Sequence, residues 1–454
     1  MTWSGLFRPV GEALTASRAL VGRGRDEMLA DQSRRVAAVV RHAARHVPHY
    51  RALFARHGVD PDGVRGADDL AALPITTRED VQAGLLSMVT EGVDPAQLLV
   101  THTTGSSGRR IRIRRTWLEE RILVAFRLRA LRDLGLRATD LRANLVRGPT
   151  ADPRDAMRPR RLRRAAGLYR KLDIDCRLPA EEIARAVAAS GADVLSGYPG
   201  VLARAAIVPG TPRPRLVVTG GEVLTPEMRR VIGAGFGAPV RELYGSHEFK
   251  TIAWECARTG LLHVADDSVA LEVLDGTTAV GPGGTGEVVA TALYSRAMPF
   301  VRYRLGDIVT RGPSPCPCGR PWSTIAAVQG RMLDYFPLPG GGLVHPYELS
   351  ALIGHALWIR QQRVVQQRLD RVVVYLVPGE PPAAGEVAAM ERALAARLGP
   401  GVHVSVALVE DVPMEPNGKF RVYRSLVRSE YDGADGAARR TAAPTPHPPL
   451  ERAR

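Results

Sequence analysis

Between residues 192 and 294 the chain repeats one pattern: a short apolar run that ends in a glycine- or tyrosine-bearing turn. ADVLSGYP (192–199), RLVVTGGE (215–222), APVRELYGS (238–246) and GEVVATALY (286–294) are the four instances. Helical periodicity in AEEIARAVAAS (180–190) and TPEMRRVIGAGF (225–236) lies between the earlier of them. Strands alternating with helices predict an α/β domain with a largely parallel sheet. In such sheets ligands bind at the carboxyl ends of the strands, which here are the turns themselves.

The flanks differ in texture. The start, over 1–95, is helical: in DQSRRVAAVVRHAARHVPHYRALFARHG (31–58) apolar residues recur every three or four positions, and Gly58 closes the run. Thr77, ahead of Arg78-Glu79-Asp80, is an expected N-cap. Beyond Arg331 comes the turn-rich LPGGGL (338–343). The strand RVVVYLVP (371–378), the helix GEVAAMERALAARLG (385–399) and the strand VHVSVALVE (402–410) follow it. The expected division is therefore a large N-terminal domain over 1–331, a small mobile α+β domain over 332–431, and a tail over 432–454. The tail is almost free of large apolar residues and is expected to be disordered.

Composition narrows the function. No run of about 18 apolar residues suits a membrane span, and the N-terminus has no cleavable leader pattern, so a cytoplasmic protein is expected. The net charge of +15 raises a nucleic-acid reading, but the arginines are dispersed, aromatics are 5% and no recognition module occurs. The dense patch RPRRLRRAAGLYRK (158–171) reads as a solvated face, with attraction of coenzyme phosphates or an acidic partner as the alternative.

Four short motifs carry chemistry. Thr103, Thr104, Gly105, Ser106, Ser107, Gly108 and Arg109 combine hydroxyl donors, flexible backbone and a guanidinium, a set suited to phosphate. It is not a Walker loop, because Arg-Arg follows the second glycine rather than Lys-Ser/Thr. Gly220-Gly221-Glu222 and Tyr244-Gly245-Ser246-His247-Glu248 end two strands; a tyrosine face can stack on a purine, and a carboxylate can hold Mg²⁺. Asp307, in RYRLGD (302–307), can accept from ribose hydroxyls, while Arg302 and Arg304 can equally be structural ion-pair partners. PNGKF (416–420) presents Lys419 in a turn. Singly, each motif also reads as an ordinary loop or strand end.

In this order and spacing the motifs resemble the adenylate-forming superfamily of acyl-CoA synthetases. Within it they resemble the phenylacetate–CoA ligase-like branch, near its capsule-associated and coenzyme-adenylylating relatives. HAARHVPHYRALF and LPITTREDV are similar to the helical start of that branch, and the resemblance spans roughly residues 30–430. It implies an ATP- and Mg²⁺-dependent ligase that adenylylates a carboxylic acid and then forms a thioester with coenzyme A. It further implies that residues 103–109 hold the β- and γ-phosphates, Gly220–Glu222 with Tyr244 and Gly245 the adenine, Glu248 the metal and Asp307 the ribose. Arg331 with Asp334 resembles the hinge, and Lys419 the lysine that reaches the carboxylate and α-phosphate. Two positions depart from the pattern: Arg109 stands where the family has Lys, and His247 where it has a hydroxyl residue. They give what support there is to a catalytically lapsed nucleotide- or partner-binding protein. Transfer to an amine, a carrier protein or a coenzyme is the other alternative. Tyr198 and Pro199 predict an apolar wall for the acid without identifying it, and a homodimer is admitted as the assembly.

The four cysteines are too few for a disulfide scaffold. Cys256 and His263, with Cys316 and Cys318, form a Cys₃His set; spacing alone leaves open a structural Zn²⁺ site or separate thiols. The resemblance favours zinc, expected to join the segment after Glu248 to the segment after Asp307, both converging on the nucleotide. Cys176 is expected to be a plain buried thiol.

Overall fold

The computed structural model describes residues 22, 24–84, 86–102, 111–146, 168–331, 336–340, 343–344, 349, 352–353, 356, 358–413 and 422–427. The expected phosphate loop, Asp334, Lys419, the tail and nearly all of the 158–171 patch lie outside these residues.

Two compact units emerge, one carrying the described residues up to Arg331 together with Pro413 and the other those of 336–412 and 422–427. The larger begins with α1 (Arg25–His46), whose buried Met28, Gln32, Val36, Val40 and Ala43 line one face. The expected single helix over 31–58 is in fact two. Val47 is extended at φ −119°, and α2 (Pro48–Arg56) starts at Pro48. A proline disfavours helical geometry in the residue before it and tolerates only the first helical turn, so the break is local chemistry. Thr77 caps α3 (Arg78–Ala83) in a reciprocal box with Asp80.

An antiparallel hairpin, β1 (Leu99–His102) with β2 (Arg112–Arg115), precedes α4 (Trp117–Asp133). The central sheet then opens with β3 (Leu141–Val146), β4 (Arg170–Asp175), β5 (Val194–Gly197), β6 (Leu216–Thr219) and β7 (Val240–Tyr244). These five are parallel in the order β4-β3-β5-β6-β7. The helices α5 (Ala180–Ser190), α6 (Pro199–Ala206) and α7 (Pro226–Phe236) connect them. Val201, Leu202, Ile232 and Phe236 pack there against Leu195 and Val217. Seven antiparallel strands extend the sheet: β8 (Ala253–Glu255), β9 (Leu262–Val264), β10 (Val269–Asp275), β11 (Thr278–Ala279), β12 (Thr285–Ala292), β13 (Tyr303–Arg311) and β14 (Thr324–Arg331). The run GEVVATALY therefore joins the antiparallel half, and the sheet is mixed. Alternating side chains define a strand but not its direction, because antiparallel neighbours need only a turn where parallel ones need a crossover.

A second core lies under the antiparallel half, where Tyr50, Ile113, Phe249, Phe300 and Tyr303 are buried together. Arg302 holds this layer. Its guanidinium meets Glu272 and donates to the carbonyls of Ala71 and Leu73, while Arg304 pairs with Glu287. These arginines are structural.

In the smaller unit β15 (Phe336–Pro337) pairs with β16 (Leu343–Val344). β17 (Ile359–Arg368), β18 (Arg371–Pro378), β19 (His403–Leu408) and β20 (Tyr423–Ser425) form a sheet in the order β19-β18-β17-β20. α8 (Glu386–Leu398) buries Met390, Leu394 and Leu398 in a core with Val364, Val374 and Val404. No described helix is long and apolar enough to cross a membrane.

Candidate active site

The carboxyl ends of β5, β6 and β7 bring three of the sequence motifs together. β6 runs straight into Gly220-Gly221-Glu222. Gly221 sits at φ 82°, and a Cβ there would lie 2.8 Å from the Tyr198 ring, so both conformation and space require glycine. Glu222 turns back to the start of α6, where its Oε2 accepts a hydrogen bond from the Gly200 amide at 3.2 Å. A carboxylate at a helix N-terminus is favourable for the helix.

Tyr244, at the end of β7, is buried, and its hydroxyl donates to Asp307 Oδ2 at 2.8 Å. Asp307 stands directly opposite Arg331 across the β13–β14 pair. Tyr244, Asp307 and the backbone of Arg331 thus come together, although they are far apart in sequence.

The turn after β7 carries Gly245, His247 and Glu248. A Cβ on Gly245 would fall 2.1 Å from the Lys250 carbonyl oxygen, so the chain closes tightly there. His247 is exposed, whereas Glu248 is only 6% exposed, and its carboxylate accepts no hydrogen bond among the described residues. Glu248 offers a carboxylate, the hard oxygen donor that Mg²⁺ prefers. The residues present therefore fit a Mg²⁺ site.

Arg115 was not singled out from sequence. It is 2% exposed, and its Nη2 donates to the carbonyl oxygens of His247 at 2.6 Å and Glu248 at 2.5 Å. In RIRR it looks like Arg112 and Arg114, and only the even periodicity of β2, which buries Ile113 and Arg115, hints at it.

A separate cluster holds Cys256, His263, Cys316 and Cys318. All four are buried, and their ligand atoms lie within 4.8 Å of one another. His263 Nε2 faces Cys318 Sγ at 3.3 Å. Burial, with help from Arg320, pushes the His263 pKa down to about 4, so the ring is neutral at pH 7 and keeps a lone pair to offer. Around the sulfurs, Arg258 donates to the Cys318 carbonyl at 2.7 Å and Thr259 Oγ1 lies 3.6 Å from Cys316 Sγ. Three soft thiols and a neutral imidazole, closed off from water, fit a four-coordinate structural Zn²⁺.

The location corrects the expected role. Tyr244 pairs with Ala253 and Leu243 with Trp254, so Cys256 follows the far end of β8. Cys316 and Cys318 likewise lie between Arg311 and Thr324, at the end of β13–β14 opposite the Asp307–Arg331 pair. The cluster joins the two expected segments, but at the ends of these strands opposite Tyr244 and the Asp307–Arg331 pair. Cys176 is buried apart from it, and burial, followed by the neighbouring Asp175 charge, pushes its thiol up to about 11.

Comparisons with known proteins agree with this geometry. The model of the CapK C-terminal domain family matches residues 338–425. A phenylacetate–coenzyme A ligase of Thermus thermophilus is 25% identical over 360 residues, covering 72% of this chain and 76% of that one. Protein CapK of Staphylococcus aureus is 26% identical over 211 residues, 46% of each chain. Among solved structures, 2-hydroxyisobutyryl-CoA ligase in its postadenylation state with 2-HIB-AMP superposes with a TM-score of 0.71. It is 20% identical, covering 87% of this chain and 89% of that one.

Proposed function

We infer that this chain, which belongs to the adenylate-forming superfamily on its phenylacetate–CoA ligase-like branch, uses ATP to activate a carboxylic acid and passes the acyl group to coenzyme A. The supporting observation is the corner at the strand ends, where the Tyr244 hydroxyl meets Asp307 and Asp307 faces Arg331.

A carboxylate has about four lone-pair sites, so the bond from Tyr244 leaves Asp307 able to accept from the two ribose hydroxyls. The Gly220–Glu222 turn and Tyr244 border the adenine. Residues 103–109 cradle the β- and γ-phosphates, and His247, where the family has a hydroxyl residue, donates a hydrogen bond to phosphate. Glu248 holds Mg²⁺, which would supply charge neutralisation on the phosphate oxygens. Lys419 completes the charge neutralisation around the α-phosphate. The substrate carboxylate attacks the α-phosphorus, the bond to the bridging oxygen breaks, and pyrophosphate leaves with that electron pair. The thiol of coenzyme A then attacks the acyl carbon and AMP departs. Cys256, His263, Cys316 and Cys318 hold a structural Zn²⁺, and the enzyme works in the cytoplasm.

ATP–pyrophosphate exchange against a panel of aryl and short acyl carboxylates tests the first half, and thioester release on adding coenzyme A tests the second. No exchange with any acid, together with normal nucleotide binding, would establish the lapsed alternative. The family matched by residues 338–425 differs from the relatives matched over the longer stretch, which keeps a second acceptor in view. Exchange without thioester, with acyl-hydroxamate formed when hydroxylamine is supplied, would favour that reading.

A further inference from the structure

The turn that presents Glu248 is gripped by side chains to which the nucleotide reading assigns no part. Arg115 Nη2 donates to two consecutive carbonyls, those of His247 and Glu248. These oxygens belong to the two peptide groups on either side of the Glu248 Cα. Fixing both planes fixes the direction in which the carboxylate leaves the backbone, since only the side-chain torsions remain free.

The grip continues beyond the guanidinium. Arg115 Nη1 lies 3.7 Å from Glu120 Oε2, and the other oxygen of Glu120 takes Lys250 Nζ at 2.8 Å. Lys250 closes the turn: its amide donates to the Ser246 carbonyl at 2.8 Å, and its backbone sits at φ 63°, unusual for a residue with a side chain. Leaving such a conformation would relieve strain, so the Glu120 ion pair opposes a real tendency of the turn to open. Arg115 is also the β2 residue opposite Leu99, at the base of the hairpin whose other end is His102 opposite Arg112. Residues 103–110 join those two ends in sequence. One buried arginine therefore links the strand leading out of the phosphate motif to the turn carrying the metal carboxylate.

We propose that Arg115, supported by Glu120 and Lys250, is a positioning residue that aims Glu248 at the metal and couples its turn to the phosphate-motif hairpin. The inference rests on the proposed function for the role of Glu248, but the brace itself does not.

Two measurements on the full chain test it without knowledge of the acid. The first is the affinity for ATP by calorimetry with and without Mg²⁺. The second is amide hydrogen exchange over 245–250 in protein free of nucleotide and metal. Arg115→Met should lose about tenfold of the Mg²⁺-dependent gain in ATP affinity, the equivalent of about 1.4 kcal/mol. It should keep its metal-free affinity and speed exchange over 245–250. Arg115→Lys, which retains one charged donor, should recover part of both, and Glu120→Gln should give a smaller loss, because it weakens the pairs with Lys250 and Arg115 but leaves the two carbonyl bonds of Arg115 in place. If Arg115→Met does not fold, the graded order of Arg115→Lys and Glu120→Gln decides. A Mg²⁺-dependent gain within about twofold of wild type in these variants would overturn the proposal, whatever their thermal stability. If the wild-type chain binds no ATP, the proposed function fails, and unchanged exchange over 245–250 in the variants would separately overturn the brace.

Discussion

Asp307 already holds one hydrogen bond, from Tyr244, before any ligand binds. Tyr244→Phe should remove that bond, costing about 1 kcal/mol of stability, the net value of one buried hydrogen bond, and raising KM for ATP several-fold with little change in kcat. Asp307→Ala should raise KM for ATP far more, about tenfold to a hundredfold, because both ribose contacts go together. Steady-state exchange at varied ATP separates the two. Lys419→Ala should instead lower the exchange rate by about a hundredfold or more at saturating ATP, as expected for a contact made chiefly in the transition state. The place of Tyr244 at the end of β7 was legible in the sequence because a glycine-bearing polar motif follows it, whereas Asp307, expected just after a strand, lies inside β13. Arg115 was not legible, because a buried arginine is spelled like a solvated one, and its partners are backbone carbonyls that no sequence pattern announces.

At the scale of elements, the Cys₃His loops and the Gly245–Lys250 turn are where local geometry is least tolerant. Gly245→Ala sets a Cβ against the Lys250 carbonyl and should destabilise the larger unit by about 1–3 kcal/mol, measured by denaturant unfolding. Metal analysis of the purified protein should find about one zinc per chain. Cys316→Ser should lower both zinc content and the unfolding midpoint, since a structural site couples metal binding to folding. A metal-free chain of undiminished stability would sink that reading. Periodicity located elements well here: α5 spans the predicted 180–190, and β18 the predicted 371–378. It failed where the outcome depended on a single proline, at Val47–Pro48, and where strand direction was at issue, at β12. Thr324 beside His263 in the β14–β9 pair shows how the metal cluster arises: strands remote in sequence become neighbours only once the sheet forms.

The larger unit, most of the molecule, is organised on one twelve-stranded sheet and on charges buried beside it. Glu255 accepts from Arg229, Arg241 and the Glu242 amide. Its neighbour Glu242 is pushed up to about 7 by burial and by the Glu255 charge, against the pull of Arg229. A carboxyl raised in the folded state binds its proton there more tightly than in the unfolded chain. Stability from this group is present below the unfolded value and is lost as pH rises from about 4.5 through about 7. Glu242→Gln should flatten that decline and stabilise the protein at pH 8 by up to about 3 kcal/mol, read from unfolding curves at pH 5 and pH 8. The α/β class followed from the alternation of runs, whereas the join of parallel and antiparallel halves at β7–β8 did not. It depends on a tight turn after Tyr244 whose closure is set by Gly245 and Lys250 together.

β14 has its two ends in different chemical worlds. One end follows the thiol cluster, and the other reaches Arg331 opposite Asp307. If the four side chains hold zinc, damage at the sulfurs should loosen this strand and lower ATP affinity, which nucleotide titration before and after oxidation would show. An oxidised or metal-starved preparation would then look like a weak ATP binder with every nucleotide-site residue intact. On the zinc reading, supplying zinc and a reductant should restore the ATP affinity of such a preparation.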